Sequence, residues 1–265
     1  MKKKFIPTGT YKGLTEVIKK LRSKDGCPWD QEQTHLSLRS NLIEEMYEAL
    51  EAIDDNNLYG MTEELGDILI QIVFHAQIAE ENNTYTDKDI FTEAEKKLIR
   101  RHPHVFDKSP MPQTTQEVEQ NWDRIKKDEK KKEQSLLDGP SKSSPSLSYA
   151  QSIGMRAARA GFDWNNGLQI FQKLDEEINE LHNAKNNEET EHEIGDILLT
   201  ITNIARWLDI DAESALRKAS KRFYERFTFM ESEIQQKDLN ITQVDMNTFT
   251  MLWNKAKEKE RTKNN

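Results

Sequence analysis

The chain repeats itself, and any fold it adopts must be one that can be built twice. Gly26-Cys-Pro-Trp29-Asp30 returns as Gly161-Phe-Asp-Trp164-Asn165, and Glu44-Glu45-Met-Tyr-Glu48 returns as Glu176-Glu177-Ile-Asn-Glu180. Glu64-Leu-Gly-Asp67 returns as Glu193-Ile-Gly-Asp196, and Trp122-Asp-Arg-Ile-Lys126 returns as Trp253-Asn-Lys-Ala-Lys257. The offsets are 135, 132, 129 and 131 residues, in one order along the chain. One acidic match would mean little among 47 Asp and Glu in 265 residues, but four ordered matches at near-constant offset mean an internal duplication.

The halves meet in a stretch that reads as a linker. From Asp128 a charged tail runs into Gly139-Pro140-Ser-Lys-Ser-Ser-Pro145-Ser146, a composition that favours turns and spacers. We expect a first module over 1–138, a linker over 139–146 and a second module over 147–265. With only 10 Gly and 7 Pro and no convincing period-two alternation, each module reads as helices. The spacing predicts them over 16–21, 40–53, 61–80, 87–100 and 114–130, then over 151–159, 168–183, 188–208, 212–237 and 246–260. Asp87 and Asp211 stand where N-caps are wanted. The fold class expected is all-α, as two tandem helical bundles.

Several functions are excluded by counting. No glycine spacing fits a dinucleotide or P-loop cradle, and there is no H-E-x-x-H. A single cysteine, Cys27, can form neither an internal disulfide nor a thiolate zinc cluster. The longest apolar stretch, Ile68 to Ile78, is broken by Gln71, His75 and Gln77, and a bilayer needs ~20 apolar residues. A basic start without an apolar region behind it is no secretion signal. A cytoplasmic protein without membrane contact is therefore expected. The net charge of −9 argues against stable nucleic-acid binding, but not against a polyanionic ligand whose charge is locally offset.

The acidic motifs locate that offset. On the first acidic helix, Ile43, Met46, Leu50 and Ile53 share one stripe, with Leu42 and Tyr47 at its flanks. Glu44, Glu45, Glu48 and Glu51 lie opposite, and taken alone they read as a solvated face. The following helix is apolar almost all round, which predicts burial, yet it carries Glu64 and Asp67 one turn apart. Its twin carries Glu193 and Asp196 in the same way. Buried carboxylates must be neutralised, paired or metal-bound. An acidic pair facing another acidic cluster points to a cation, and oxygen-only donors select Mg²⁺, with Mn²⁺ as a possible substitute. Gly66 and Gly195, inside these helices at a cost of ~1 kcal/mol against Ala, fit a close approach by another helix or a ligand. His102 and His104 read as a turn rather than a metal pair, Lys126 to Lys132 as a solvated helix end, and Met1 to Lys4 as a frayed terminus.

E-E-x-x-E followed by E-x-x-D in both halves resembles the MazG family of nucleoside triphosphate pyrophosphohydrolases. So do Gly26-Cys-Pro-Trp-Asp-Gln-Glu-Gln-Thr-His35 and Arg100-Arg-His-Pro-His-Val-Phe106. The resemblance covers nearly the whole chain. It implies a helical bundle in each half, hydrolysis of (d)NTP to (d)NMP and pyrophosphate with broad base specificity, and pairing of modules as a homodimer. The second module would carry the main activity. Carried over by motif, Glu177, Glu180, Glu193 and Asp196 are the catalytic metal ligands, with Glu45, Glu48, Glu64 and Asp67 as their first-half counterparts. Nucleotide contacts fall to Lys173, Arg222, Arg226, Trp253 and Lys257, and in the first half to Arg101, Trp122 and Lys126. Trp122 and Trp253 serve either base stacking or helix packing. Two alternatives stand beside this reading: a dUTP- or dCTP-restricted hydrolase, and a regulatory nucleotide-binding module without turnover.

Overall fold

The structure is a computed structural model that describes residues 6–107, 109–128, 135–237 and 239–263. It divides into two compact units, Met1–Lys131 and Lys132–Asn265. Among the described residues there is no strand, and the chain is all-α. The first unit holds α1 (Tyr11–Leu21), α2 (Pro28–Glu32), α3 (Arg39–Asp54), α4 (Leu58–Glu81), α5 (Asp87–Arg101), α6 (Pro103–Phe106) and α7 (Thr115–Asp128). The second holds α8 (Ser146–Arg159), α9 (Gly167–Asn183), α10 (Asn187–Trp207), α11 (Ala212–Gln235) and α12 (Met246–Lys263), with a short 3₁₀ turn at Ile241–Gln243. The expected terminus Met1 to Lys4 and most of the expected basic run at 126–132 lie outside the described residues.

Helix starts follow capping chemistry. Asn57, Asn166 and Asn186 accept the backbone N–H of Gly60, Gln169 and Glu189. Asp211 accepts from Ser214 N–H at 2.7 Å, so it caps α11 as expected. Asp87 does not cap α5. Thr86 does, in a reciprocal box with Asp89, because the pair three residues apart satisfies two backbone donors where Asp87 alone would satisfy one. Short connections turn α3 onto α4 and α9 onto α10, forming one helical hairpin per unit. In the first, Asn56 takes the left-handed conformation (φ 52°) that asparagine tolerates.

The cores differ. In the first unit Ile18 and Leu38 meet Val73, Phe74 and Ile78 of α4, so α1 covers the C-terminal half of α4 and leaves its acidic start open. In the second, the apolar cluster is Met230, Ile234 and Leu252, between α11 and α12.

Two expectations about buried faces are overturned. On α3, Ala49 and Ala52 are buried while Ile43, Met46 and Ile53 are about half exposed. The glutamate side, not the Ile/Met stripe, faces α4, because two helices joined by a tight turn approach closely and only small residues fit between them. Nor is α4 buried all round. Leu65, Leu69 and Ile72 are 51%, 37% and 38% exposed, and their twins Ile194, Leu198 and Ile201 on α10 are 46%, 47% and 44% exposed. A Cβ at Gly66 or Gly195 would meet nothing within 4 Å, so no helix among the described residues makes the close approach expected there.

Candidate metal and nucleotide site

Each hairpin brings three carboxylates together. Glu45 and Glu48 of α3 and Glu64 of α4 each offer an oxygen within 4.8 Å of the others, and Glu177 and Glu180 of α9 do the same with Glu193 of α10. The i,i+3 spacing on one helix places two carboxylates on the hairpin's inner side, and the first turns of the next helix supply the third.

The fourth expected member stands apart in both units. Asp67 is near enough to disfavour ionisation of Glu45 and Glu64 but is outside the converging triad. Asp196 is likewise outside its triad, with Oδ2 3.3 Å from His192 Nε2.

The crowding is electrostatically costly. Burial, then Asp67, Glu48, Glu64 and Glu44, push the Glu45 carboxyl above its usual range. Glu64 is raised by burial, then Glu48, Glu63 and Asp67, and by a hydrogen bond with Glu48. Glu180 is raised by burial, Glu193 and Glu177, with Lys173 working against the shift. Glu193 Oε2 is a buried oxygen without a hydrogen-bond partner among the described residues. A buried carboxylate oxygen left open beside two more carboxylates is the donor arrangement a hard divalent cation satisfies.

The basic and aromatic candidates fall into two groups. Lys173 joins the second cage, with Nζ 2.7 Å from Glu176 Oε1 and 2.9 Å from Glu177 Oε1, and these bonds hold its ammonium above the ordinary range. Arg226 lies over the Trp253 ring at 5.2 Å and pairs with Glu260 at 2.7 Å. That second cluster sits on α11 and α12, whereas the cage lies between α9 and α10. Trp253 also packs against the Met230–Ile234–Leu252 core and Phe223, so packing accounts for part of its placement. Arg222 is exposed and Lys257 half-buried. In the first unit, Arg101 lies over Trp122 at 5.2 Å, as Arg226 does over Trp253. His102 meets the same ring edge-on and bonds the Leu98 carbonyl through Nδ1 at 2.7 Å, between α5 and α6. That is the turn role expected for it. Lys126 is on α7, and its side chain lies outside the described residues.

Sequence patterns missed the groups that hold the tryptophan motifs in place. Arg22, its side chain 6% exposed, donates to the Asp30 and Gln33 carbonyls at 2.6 and 3.1 Å while its other nitrogens grip Glu81. Burial opposes ionisation of Glu81, and the Arg22 hydrogen bonds outweigh it, so its pKa lies below the usual value. A Cβ at Gly26 would fall on the Leu21 carbonyl, which is why the turn into this motif needs glycine. In the second unit Arg206 makes a two-pronged bond to Asp163, at 2.5 and 3.2 Å, and holds that carboxyl below its usual range. His35 and His75 are also tied, Nδ1 to Nδ1 at 2.7 Å, with near-parallel rings. Arg22 and Glu81, Arg206 and Asp163, and His35 and His75 are 40 to 59 residues apart, beyond any local periodicity.

A duplicated all-α hairpin that converges three glutamates in each copy defines a class of helical proteins whose carboxylate clusters could hold a metal ion. The chain belongs to the MazG family. The family model described as the MazG nucleotide pyrophosphohydrolase domain matches residues 33–106, a span that holds α3, α4, α5 and α6. Over 253 residues the chain is 44% identical to the nucleoside triphosphate pyrophosphohydrolase/pyrophosphatase MazG of Thermotoga maritima, covering 95% of this chain and 97% of the relative. It is 38% identical over 255 residues to the nucleoside triphosphate pyrophosphohydrolase of Escherichia coli, covering 93% and 97%. It is 41% identical over 256 residues to the uncharacterized protein YabN of Bacillus subtilis, covering 95% of this chain and 52% of that one.

Proposed function

We propose that this chain hydrolyses nucleoside triphosphates at the α-phosphorus, giving the monophosphate and pyrophosphate, with broad base specificity and with the second module as the main active one. The observation that carries the reading is the convergence of Glu177, Glu180 and Glu193 around the unpartnered buried oxygen of Glu193. These three and Asp196 would hold Mg²⁺, or Mn²⁺ in its place, and the first-module counterparts would be Glu45, Glu48, Glu64 and Asp67. The bound cation supplies charge neutralisation at the phosphates and a water activated near neutral pH. Lys173, on a four-carbon stem, can turn its ammonium from Glu177 to a phosphate oxygen. Arg222, Arg226 and Lys257 offer further charge-assisted donors, and Trp253 offers a face that any base can stack on. Arg101, Trp122 and Lys126 are the corresponding first-module group.

The repeated exposed stripe supports pairing of modules in a homodimer. Leu65, Leu69 and Ile72 recur at the same offset as Ile194, Leu198 and Ile201, all more than a third exposed, and apolar stripes of this kind mark packing surfaces. Light scattering coupled to size exclusion should give twice the chain mass, and Leu69→Lys with Leu198→Lys should give the monomer. No helix among the described residues is long and apolar enough to cross a membrane, in keeping with a proposed cytoplasmic setting. We also retain 139–146 as the proposed linker. Asp138, just before it, accepts a hydrogen bond from Arg156 of α8 at 3.1 Å.

Product analysis tests the reaction. Each (d)NTP is incubated with Mg²⁺ and then with EDTA, and pyrophosphate is separated from orthophosphate. Monophosphate plus pyrophosphate, lost in EDTA, is expected. Diphosphate plus orthophosphate would refute attack at the α-phosphorus, and turnover of dUTP or dCTP alone would select the narrower hydrolase. The regulatory reading has its best support in the first module, where Asn41 stands in place of Lys173.

A further inference from the structure

The two cages share their acids but not their cation. Lys173 lies one turn ahead of Glu177, its Nζ 2.9 Å from a carboxylate that is only 5% exposed. At the 132-residue offset that aligns the acidic motifs, α3 carries Asn41, a neutral side chain 3.5 Å from the Ser40 hydroxyl. The charged groups that act most strongly on Glu45 and Glu64 are carboxylates, whereas around Glu180 Lys173 offsets part of the repulsion. An ammonium already seated on Glu177 repels a second cation entering the same cage.

We propose that Lys173 is a resident counter-ion that keeps the second cage from taking a bare divalent cation until the phosphates of a nucleotide draw its ammonium away. The second module then takes cation and triphosphate together, and the first module, with Asn41, takes a cation alone. The inference rests on the reading of both carboxylate clusters as cation cages. Because one group answers to both ligands, metal and nucleotide tighten each other's binding in the second module.

The test is nucleotide-free Mn²⁺ binding to the full chain, read from the electron paramagnetic resonance signal of free Mn²⁺. Glu48→Gln with Glu64→Gln isolates the second cage, and Glu180→Gln with Glu193→Gln isolates the first. The first cage should bind Mn²⁺ on the order of tenfold more tightly than the second, as for a unit charge added beside a carboxylate site. Lys173→Met, with Lys173→Gln as a check on the shape of the replacement, should remove the difference, and Asn41→Lys should weaken the first cage. A triphosphate with a methylene bridge between the α- and β-phosphorus should tighten Mn²⁺ in the second cage when Lys173 is present. Equal affinities in the two cages, unchanged by Lys173→Met, would overturn the counter-ion and leave the cages standing. If no form binds Mn²⁺, both the counter-ion and the cage reading fall.

Discussion

The α3–α4 hairpin and the α9–α10 hairpin carry the same three glutamates in the same geometry, yet they are wired differently. In the first, the acids are perturbed most by one another, and Glu48 and Glu64 share a hydrogen bond. In the second, Lys173 bonds the buried Glu177 and His192 stands beside Asp196. The surroundings diverge too. Arg22 holds the first tryptophan motif through its backbone, while Arg206 holds the second through the Asp163 side chain. His75, which meets His35, has Ile204 as its twin. Duplication thus keeps the donor set, which spacing on a helix specifies, and lets the compensating charges drift.

The largest expected effect separates the modules by turnover. Glu180→Gln with Glu193→Gln should lower kcat by 100-fold or more, as expected where charge stabilisation at the phosphates is lost. Glu48→Gln with Glu64→Gln should leave most activity. Equal losses in the two variants, in a steady-state pyrophosphate assay, would break the asymmetry proposed between the copies.

Stability comes next. Arg22→Ala removes a buried guanidinium that bonds two carbonyls and a carboxylate, and should cost about 2–3 kcal/mol in urea unfolding. Arg206→Ala, which loses its bonds to the partly exposed Asp163 and a long bond to Asn203, should cost about 1–2 kcal/mol. The reverse order would mean that the side-chain pin is the stronger one.

A smaller effect should track pH in the first module alone. Burial, then the His35 neighbour, lower the pKa of His75, so its neutral form is favoured in the fold. The stability it contributes is present above the ordinary histidine value and is lost as pH falls through the lowered one. Hydrogen exchange should show α4 opening around His75 between pH 7 and 5, with no matching change around Ile204. The same treatment of His75→Gln should flatten the response.

The smallest expected effect concerns the carboxylate clusters in the absence of added metal. Glu45, Glu64 and Glu180 have raised pKa values, so their contribution to stability is present when they are protonated and lost as pH rises through those values. In EDTA, Glu45→Gln with Glu64→Gln should therefore melt higher than the parent at pH 7 and converge with it on acidification. Adding Mg²⁺ should raise the parent's Tm at pH 7, with the gain fading toward pH 5.

The helices themselves were legible in the chain. Apolar spacing and caps such as Asp211 placed α3, α4, α9, α10 and α11 within a few residues of their observed ends. The cap at Thr86 was missed because Asp87 also suits a helix start, and only the reciprocal bond with Asp89 distinguishes them. The triads were half legible. Spacing put Glu45 with Glu48 and Glu177 with Glu180, and the repeat pointed to Glu64 and Glu193. That Asp67 and Asp196 stand off the converging point depends on how far one helix slides along the other, which no single-helix pattern contains.

By itself, the sequence determined a duplicated all-α chain with acidic pairs at helical spacing in each copy, because helical periodicity and capping act over three or four residues. Only the tertiary structure decided that Ala49 and Ala52, rather than Ile43 and Met46, face the neighbouring helix, that Arg22 reaches Glu81, and that the Glu177 paired with Lys173 is buried. A periodic pattern fixes the angle of a side chain around its own axis. The separation and offset of two axes are set by which side chains can fit between them, and that is settled only when the helices pack.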